Sequence, residues 1–347
     1  MFFVKQHLLP LLQKFFFILP VLWLTLWAPK AAPGKARVVS LKSPSSKLVW
    51  LKALTTELGS SDLEILEAQD LCLRSTRRRP EGGAREQFCT DGLFADELPR
   101  HSVFISGFFI DRTEVTVKEY RACVSAQRCL PLRESEGAAR FFKPEYPVSL
   151  LTWSEAQAYC EFRGGRLPTE AEFERAARGA VRAVEHGPDG SERRARVFPW
   201  GDLFNSHVSN HGGPALRTPL GVSDEDAMSS DARDGFEELA PVGSFPSGAT
   251  PEGVLDLAGN VAEWVYDLYA DYPKPNVNSS VLSVVRDPKG PSTSETGMRV
   301  ARGGHYKSSP AWLRAAARLA FPPETRSPLL GFRCVRERAS HPEGNGP

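Results

Sequence analysis

The first apolar segment of the chain lies at residues 15–28 and follows two lysines, Lys5 and Lys14. It is shorter than the ~20 residues that a helix needs to cross a bilayer comfortably. A positive flank before a short apolar segment is typical of a secretory signal. We therefore expect residues 1–28 to be a signal peptide, with an uncleaved N-terminal anchor as the alternative. In both cases the rest of the chain is exported, and is periplasmic, extracellular or membrane-anchored.

The next region is polar before a periodic pattern begins. Residues 29–60 are rich in Lys, Ser and Pro, which predicts a tether. Residues 61–97 form an N-terminal extension, in which residues 63–73 have the pattern of a short amphipathic helix. Cys72 and Cys89 bracket a basic loop of this extension. Because exported cysteines meet an oxidising environment, we expect these two to pair.

Regular structure is predicted most clearly between residues 103 and 179. Residues 103–110 are apolar and rich in β-forming side chains, which predicts a buried strand. The capping-box pattern occurs at residues 116–119, 154–157 and 169–172, and predicts three helix starts. Beyond Gly179 the apolar runs are short and turn residues recur. A long irregular segment inside a compact domain needs additional stabilisation, for which bound cations are a candidate.

Composition changes this picture only in part. The 347 residues are 41% hydrophobic and 24% charged, which excludes a wholly disordered chain. A formal net charge of +1 provides no overall attraction for nucleic acid, and we expect membrane contact only through an uncleaved anchor. The six cysteines suffice for two or three disulfides. Cys123 and Cys129 are close enough to pair across a helix end, with two buried thiols as the alternative.

A collinear series of short motifs extends from the first predicted helix to the C-terminal region. They are DRTEVT at 111–116, WSEA at 153–156, RLPTEAEF at 166–173, FPWG at 198–201, DGF at 234–236, APVGSFP at 240–246, DLAGNVAEW at 256–264, RGG at 302–304, LRAAAR at 313–318 and GFRC at 331–334. Each motif alone is weak. Together and in this order they resemble the formylglycine-generating enzyme (sulfatase-modifying factor) family.

The resemblance implies a fold and a disulfide. The fold is a single loop-rich α+β domain at residues 98–337, of the formylglycine-generating-enzyme type and related to C-type lectins, with little regular secondary structure and stabilised by calcium. Residues 338–347 would then be a disordered tail. The resemblance also implies a disulfide between Cys160 and Cys334. The positions of a second family disulfide correspond to Ala177 and Ala315, so both of its cysteines are absent.

Residues 256–263 combine two carboxylates and several carbonyls in a tight glycine-containing turn. Calcium prefers about six to eight oxygen ligands of this mixed kind. The resemblance implies a calcium site, here called the Asp256 site, with side-chain ligands from Asp256 and Glu263 and carbonyl ligands from Gly259 and Val261. The family has Asn at the position of Asp256, and a carboxylate should bind at least as well.

A second calcium site, here called the Asp234 site, is implied by a looser match. Its ligands would be the side chains of Asn210 and Asp234 and the carbonyls of His211 and Phe236. The alternative for both sites is that these polar groups only cap turns.

The family's oxidases use two thiolates near the C-terminus to bind monovalent copper, activate oxygen and convert a substrate cysteine to formylglycine. The corresponding segment here, residues 302–318, contains no cysteine. The first thiol position falls near Ser308 and the second near Pro310. Neither residue supplies the soft sulfur donor that monovalent copper prefers. We therefore expect calcium as the only cofactor and no copper, which leaves the classical oxidase as the least favoured of three hypotheses.

The favoured hypothesis is a non-catalytic binding module for a peptide, glycan or protein. Its groove would be lined by apolar surface with a few polar groups, as binding clefts usually are. The resemblance implies four groove residues: Arg302, Tyr306, Trp312 and Arg314.

The alternative is a divergent metal-dependent oxidoreductase on the same fold, as in ergothioneine or siderophore chromophore pathways. Its candidate catalytic residues are His305, Lys307 and Ser308, which lie where the thiols would be. Sequence adjacency alone does not show that a serine and a histidine are hydrogen-bonded in space.

Overall fold

The structure is a computed structural model of the chain. It describes residues 47–75, 89, 91–133, 137–179, 195–212, 234–274 and 284–338. The expected signal peptide, the first part of the expected tether and the tail from residue 339 onward lie outside the described residues. Within those ranges, none of the helices has both the length and the apolar character that crossing a membrane requires.

The described ranges contain four α-helices. They are α1 (Asp62–Ser75), α2 (Val117–Ser125), α3 (Trp153–Phe162) and α4 (Glu170–Arg178). Helices α2, α3 and α4 each begin with a complete capping box, in which a threonine hydroxyl accepts the third helical amide and a glutamate accepts the threonine amide. The predicted helix at 63–73 and the predicted starts at Thr116 and Thr169 are confirmed. The predicted cap at Ser154 is wrong, because Thr152 accepts the amide of Glu155 at 3.3 Å.

Ten short β-strands form three small sheets in the same ranges. They are β1 (Leu48–Leu51), β2 (Leu54–Leu58), β3 (His101–Ile105), β4 (Phe108–Asp111), β5 (Ala262–Leu268), β6 (Val285–Arg286), β7 (Arg299–Arg302), β8 (Arg318–Phe321), β9 (Leu330–Gly331) and β10 (Val335–Glu337). The sheet orders are β1-β4-β10, β2-β3-β6 and β8-β7-β5-β9. Only the β3–β6 and β5–β9 pairs are parallel among these. Short helices and small sheets joined by loops make this the α+β, loop-rich fold that was predicted.

Two sequence-based boundaries need correction. The predicted strand at residues 103–110 is two strands, β3 and β4, because the chain passes at Ser106 and Gly107 from one sheet to another. The predicted tether is contradicted at residues 48–58, which form β1 and β2. These strands pair with β4 and β3, so residues 48–58 are part of the domain that was expected to begin at residue 98. Leu51 and Leu58 are buried there, which explains why the segment is not a solvated linker.

The core is held together by a few large side chains and by a long-range disulfide. Trp264 on β5 is fully buried, and its indole nitrogen donates to the carbonyl of Leu151 at 3.2 Å. The disulfide between Cys160 and Cys334 joins α3 to the segment before β10. Strand β5 pairs with β7, and β7 with β8, and the segment where catalytic thiols were sought connects the last two strands.

Candidate functional site

The segment that would carry the catalytic thiols connects β7 to β8. It leaves β7 through Gly303 and Gly304, which have positive φ angles of 89° and 68°. A Cβ atom on Gly304 would lie 2.7 Å from the carbonyl oxygen of Trp312, so this close approach requires glycine. The chain then forms a 3-10 helix at Pro310–Leu313. The segment is therefore folded tightly onto its own beginning.

The candidate catalytic residues lie in this turn. His305 and Ser308 are buried, and the hydroxyl of Ser308 accepts a hydrogen bond from the backbone amide of His305 at 3.0 Å. Nδ1 of His305 accepts from the backbone amide of Lys307 at 3.2 Å. The carbonyl of Ser308 accepts from the amide of Gly212 at 3.0 Å. The two side chains thus help to close the loop, and the backbone of Ser308 attaches it to the neighbouring loop.

Arg302 is part of a buried ion-pair network. Its Nη1 lies 3.0 Å from Oε1 of Glu170, and its Nη2 contacts Glu174 on the same helix, α4. The same guanidinium donates to the carbonyls of Ala315 and Ala316, at 2.7 and 3.0 Å. Arg302 therefore links α4 to the segment after the 3-10 helix.

The predicted groove residues do not line an open groove. Their exposed fractions are small: Arg302 0%, Tyr306 2%, Trp312 6% and Arg314 4%. Tyr306 packs in a cluster with Phe141, Leu239 and Val261. The prediction of an open groove at these positions is wrong, because other parts of the same chain cover each of them.

The N-terminal extension covers two of these residues, Trp312 and Arg314. We call α1 together with residues 91–98 the cap; the Cys72–Cys89 disulfide ties α1 to Cys89, which lies just before residues 91–98. The ring centroids of Phe94 and Trp312 are 5.2 Å apart. Arg314 forms two hydrogen bonds with the carboxylate of Glu97, at 2.8 and 2.6 Å. The sequence did not reveal Phe94 or Glu97 as site residues, since both lie far from residue 312 along the chain.

All six cysteines of the chain are in disulfides. The structure joins Cys72 to Cys89, Cys123 to Cys129 and Cys160 to Cys334, which confirms the three predicted pairs. Ala177 and Ala315 are buried in one apolar cluster. The two alanines thus fill the place where the resemblance implies a further bridge.

Comparison with known proteins identifies the family. A sequence profile of the sulfatase-modifying factor enzyme 1-like domain matches residues 79–338, which is most of the chain. The chain belongs to this family. The formylglycine-generating enzyme of Bos taurus is 25% identical over 330 residues, which cover 89% of this chain and 78% of that protein.

Two further comparisons concern a curated relative and a solved structure. The inactive C-alpha-formylglycine-generating enzyme 2 of Bos taurus is 31% identical over 207 residues, or 58% of this chain and 54% of that protein. Among solved structures, PvdO from Pseudomonas aeruginosa superposes with a TM-score of 0.50 at 22% identity, over 84% of this chain and 94% of that one. The superposition shows that the fold is shared.

The sulfatase-modifying factor family implies a calcium ion at the Asp256 site. The contacts of the predicted ligands test that expectation. Glu263 is fully buried, and both its oxygens accept hydrogen bonds from Arg333, each at 2.7 Å. Arg333 also donates to the carbonyls of Leu255 and Asp256 at 3.0 Å. Glu263 is therefore paired with an internal cation, which differs from its predicted role as a calcium ligand.

A third carboxylate, Glu114, lies beside this pair and was missed by the sequence analysis. It is 1% exposed; its Oε1 accepts from Asn260 at 3.0 Å, and no described residue provides a hydrogen-bond partner for its Oε2. Burial, together with the charges of Asp256 and Glu263, raises the pKa of Glu114 well above its ordinary value. With its pKa raised in this way, Glu114 holds a proton as long as no cation is bound, and a divalent cation would replace that proton.

Oxygen donors of this kind would hold a hard cation only in a modified form of the predicted site. Asp256 and Glu114 provide the carboxylates. In the described ranges, no three His, Cys, Asp or Glu side chains are placed to hold one metal ion. The backbone carbonyls of Gly259 and Val261 would have to complete the shell, as the mixed ligand sets of calcium allow.

At the Asp234 site, the contacts favour the alternative in which the polar side chains only cap turns. The two oxygens of Asp234 accept from the backbone amides of His211 and Phe236, at 3.0 and 2.9 Å. The amide group of Asn210 donates to the carbonyl of Glu238 at 2.8 Å. The structure brings the predicted residues into adjoining loops, but their side chains cap backbone groups there.

Proposed function

We propose that this chain is an exported, non-catalytic binding module of the sulfatase-modifying factor family. One observation carries the proposal: every cysteine of the chain is in a disulfide, so no thiolate pair is left to bind monovalent copper. The segment at residues 302–318 supports it, because Ser308 and Pro310 are buried where the family's oxidases need reactive thiols.

Export is supported by two independent features. The Lys-flanked apolar residues 15–28 have the pattern of a secretory signal. Three disulfides in one chain are typical of proteins in oxidising compartments. Cell fractionation with thiol labelling should find the protein outside the cytoplasm with no reactive thiol. Cytoplasmic protein with free thiols would contradict this part of the proposal.

The ligand class that the geometry favours is a peptide or protein. Trp312 and Arg314 already contact a segment of this chain. Trp312 packs against the ring of Phe94, and Arg314 forms two hydrogen bonds with the carboxylate of Glu97. Tryptophan and arginine are enriched among the residues that dominate binding at protein interfaces.

The test is an oxidase assay with a sulfatase peptide that contains the substrate cysteine. With monovalent copper and oxygen, the bovine formylglycine-generating enzyme serves as positive control. We expect this chain to leave the peptide unchanged by mass spectrometry and to purify without stoichiometric copper. Formation of an aldehyde on the peptide would overturn the non-catalytic proposal.

We also propose calcium as a structural cofactor at the Asp256 site, held by Asp256 and Glu114. A bound calcium ion would supply positive charge to these buried carboxylates and would replace the proton that Glu114 holds without it. Chelation should lower the melting temperature of the wild type, and Glu114→Gln should remove that sensitivity. The control is Glu238→Gln, a half-buried carboxylate paired with Arg140, and this variant should retain the response. A melting temperature that chelator does not change would contradict calcium binding.

A further inference from the structure

We propose that the outer face of the β1-β4-β10 sheet binds an extended acidic peptide segment of a partner protein, with a carboxylate at every second position. We call this surface the arginine face, and its residues are Trp50, Phe109, Arg163, Arg336 and Arg338. It shares no residue with the segment at 302–318, so the inference goes beyond the proposed function.

The arginine face follows from the alternation of side chains along the three strands. The side chains that point to the core are Val49, Leu51, Phe108, Ile110 and Val335. Between them, Trp50, Phe109 and Arg336 point to the other side and are half-buried. The register places Phe109 directly opposite Trp50 on one neighbouring strand and Arg336 on the other. One row across the sheet therefore carries two aromatic rings and a guanidinium group.

Gly107, the residue before β4, allows an aromatic–cation contact to form on this face. A Cβ atom on Gly107 would lie 2.7 Å from the indole ring of Trp50, so a larger residue would displace that ring. The ring centroids of Trp50 and Phe109 are 4.8 Å apart. The guanidinium carbon of Arg338 lies 5.7 Å from the centroid of the Trp50 ring. The indole thus holds an exposed cation beside the aromatic pair.

The cations of the arginine face are only partly compensated by carboxylates. Arg163 lies 3.3 Å from the buried carboxylate of Asp111. Among the residues that the structure describes, no carboxylate forms an ion pair with Arg336 or Arg338. Burial, together with the charge of Arg163, lowers the pKa of Arg336. Two neighbouring guanidinium groups with one carboxylate near them leave an excess of positive charge, which an acidic ligand would neutralise.

The spacing of Arg336 and Arg338 favours an extended peptide. Arg336 lies in β10 (Val335–Glu337), and Arg338 follows that strand directly. Because each residue of a strand advances by about 3.3 Å, the two positions are about 7 Å apart. Alternate side chains of an extended peptide have the same separation and point to the same side. A peptide along β10 would therefore present one carboxylate to each planar guanidinium group.

A membrane surface is the competing ligand for a face that combines aromatic rings with cations. Membrane-bound surfaces insert their aromatic side chains among the lipids. Trp50 and Phe109 are half-buried and packed against each other, which leaves little apolar surface for insertion. Aromatic residues and arginine are also the side chains enriched at protein interfaces. The arginine face is therefore better suited to an acidic polypeptide.

The experiment measures peptide binding to the full chain by fluorescence anisotropy. The probe is a labelled nine-residue peptide in which four glutamates alternate with threonines. The spacing control has the same composition, but its glutamates form two adjacent pairs separated by two threonines, so that no two of them are two positions apart. We expect the wild type to bind the probe at least fivefold more tightly than the spacing control, because only the probe matches Arg336 and Arg338 together.

Matched variants assign the binding to the arginine face. Arg336→Gln/Arg338→Gln should weaken probe binding at least tenfold. Arg74→Gln/Arg140→Gln removes the same charge from two exposed arginines elsewhere and should bind as wild type. Should the first double variant fail to fold, Arg338→Gln alone takes its place, and we expect it to weaken binding at least threefold.

Three outcomes would overturn the inference. Equal affinity for the two peptides would remove the argument from spacing. Equal losses in the two double variants would show a general attraction of charge. In cosedimentation with phosphatidylglycerol vesicles, wild-type binding that is lost in Arg336→Gln/Arg338→Gln, without any probe binding, would assign the face to a membrane.

Discussion

Asp267 lies on β5 next to the first turn of α4, and its carboxylate accepts the backbone amide of Glu170 at 2.8 Å. Burial, assisted by the charges of Glu170 and Glu172, raises the pKa of Asp267 to about 8. An acid whose pKa is raised by folding binds more protons in the folded state than in the unfolded state. Its contribution to stability is therefore greatest at low pH and is lost as the pH rises towards 8.

We expect Asp267→Asn to flatten this pH dependence. Asparagine keeps an acceptor for the Glu170 amide and cannot ionise, so the variant should be more stable than wild type at pH 8, by on the order of 2 kcal/mol. Urea unfolding at pH 5 and pH 8 measures the difference. Asp202→Asn, on an exposed loop, should follow the wild-type profile. If the difference in unfolding free energy between wild type and Asp267→Asn is the same at pH 5 and pH 8, the raised pKa of Asp267 is contradicted.

Apart from the Cys160–Cys334 pair, which the family resemblance implied, residue roles were predictable where partners are close in sequence. Cys72 and Cys89 were paired from the loop that they bracket, and the structure joins them across 17 positions. Glu97 meets Arg314 across a separation of 217 residues. No local pattern marks such a partner, so the burial of the groove residues could not be foreseen from the segment itself.

At the scale of elements, the start of α3 shows which of two neighbouring hydroxyl residues, Thr152 or Ser154, caps the helix. Thr152 accepts the amide of Glu155, whereas Ser154 is exposed within the first turn. Thr152→Ala should lower the free energy of unfolding by about 1 kcal/mol, as loss of a helix cap does. Ser154→Ala should change it by less than about 0.5 kcal/mol, as exposed substitutions do. Equal effects of the two substitutions in urea titrations would show that the cap is shared.

Helices were easier to predict than strands for a physical reason. A capping box joins residues three apart, so its whole signal lies within one turn of sequence. Strands β1 and β2 are short segments in a polar context, and they are stabilised by pairing with β4 and β3, which lie about sixty and about fifty residues further along. The sequence therefore predicted the starts of α2 and α4 correctly and treated the first two strands as tether.

At the scale of the whole molecule, Cys160–Cys334 and Cys123–Cys129 are expected to contribute very differently to stability. They close segments of 174 and 6 residues respectively. Because a cross-link restricts the unfolded chain more when the closed loop is longer, Cys160→Ser/Cys334→Ser should cost about 3 kcal/mol more than Cys123→Ser/Cys129→Ser. The second variant is a matched control, since it also removes one disulfide and adds two serines. Guanidinium unfolding of both variants measures the difference. Equal losses would mean that the fold between α3 and β10 is held by the buried ion pairs and apolar contacts of β5, β7 and β8, with little from the disulfide.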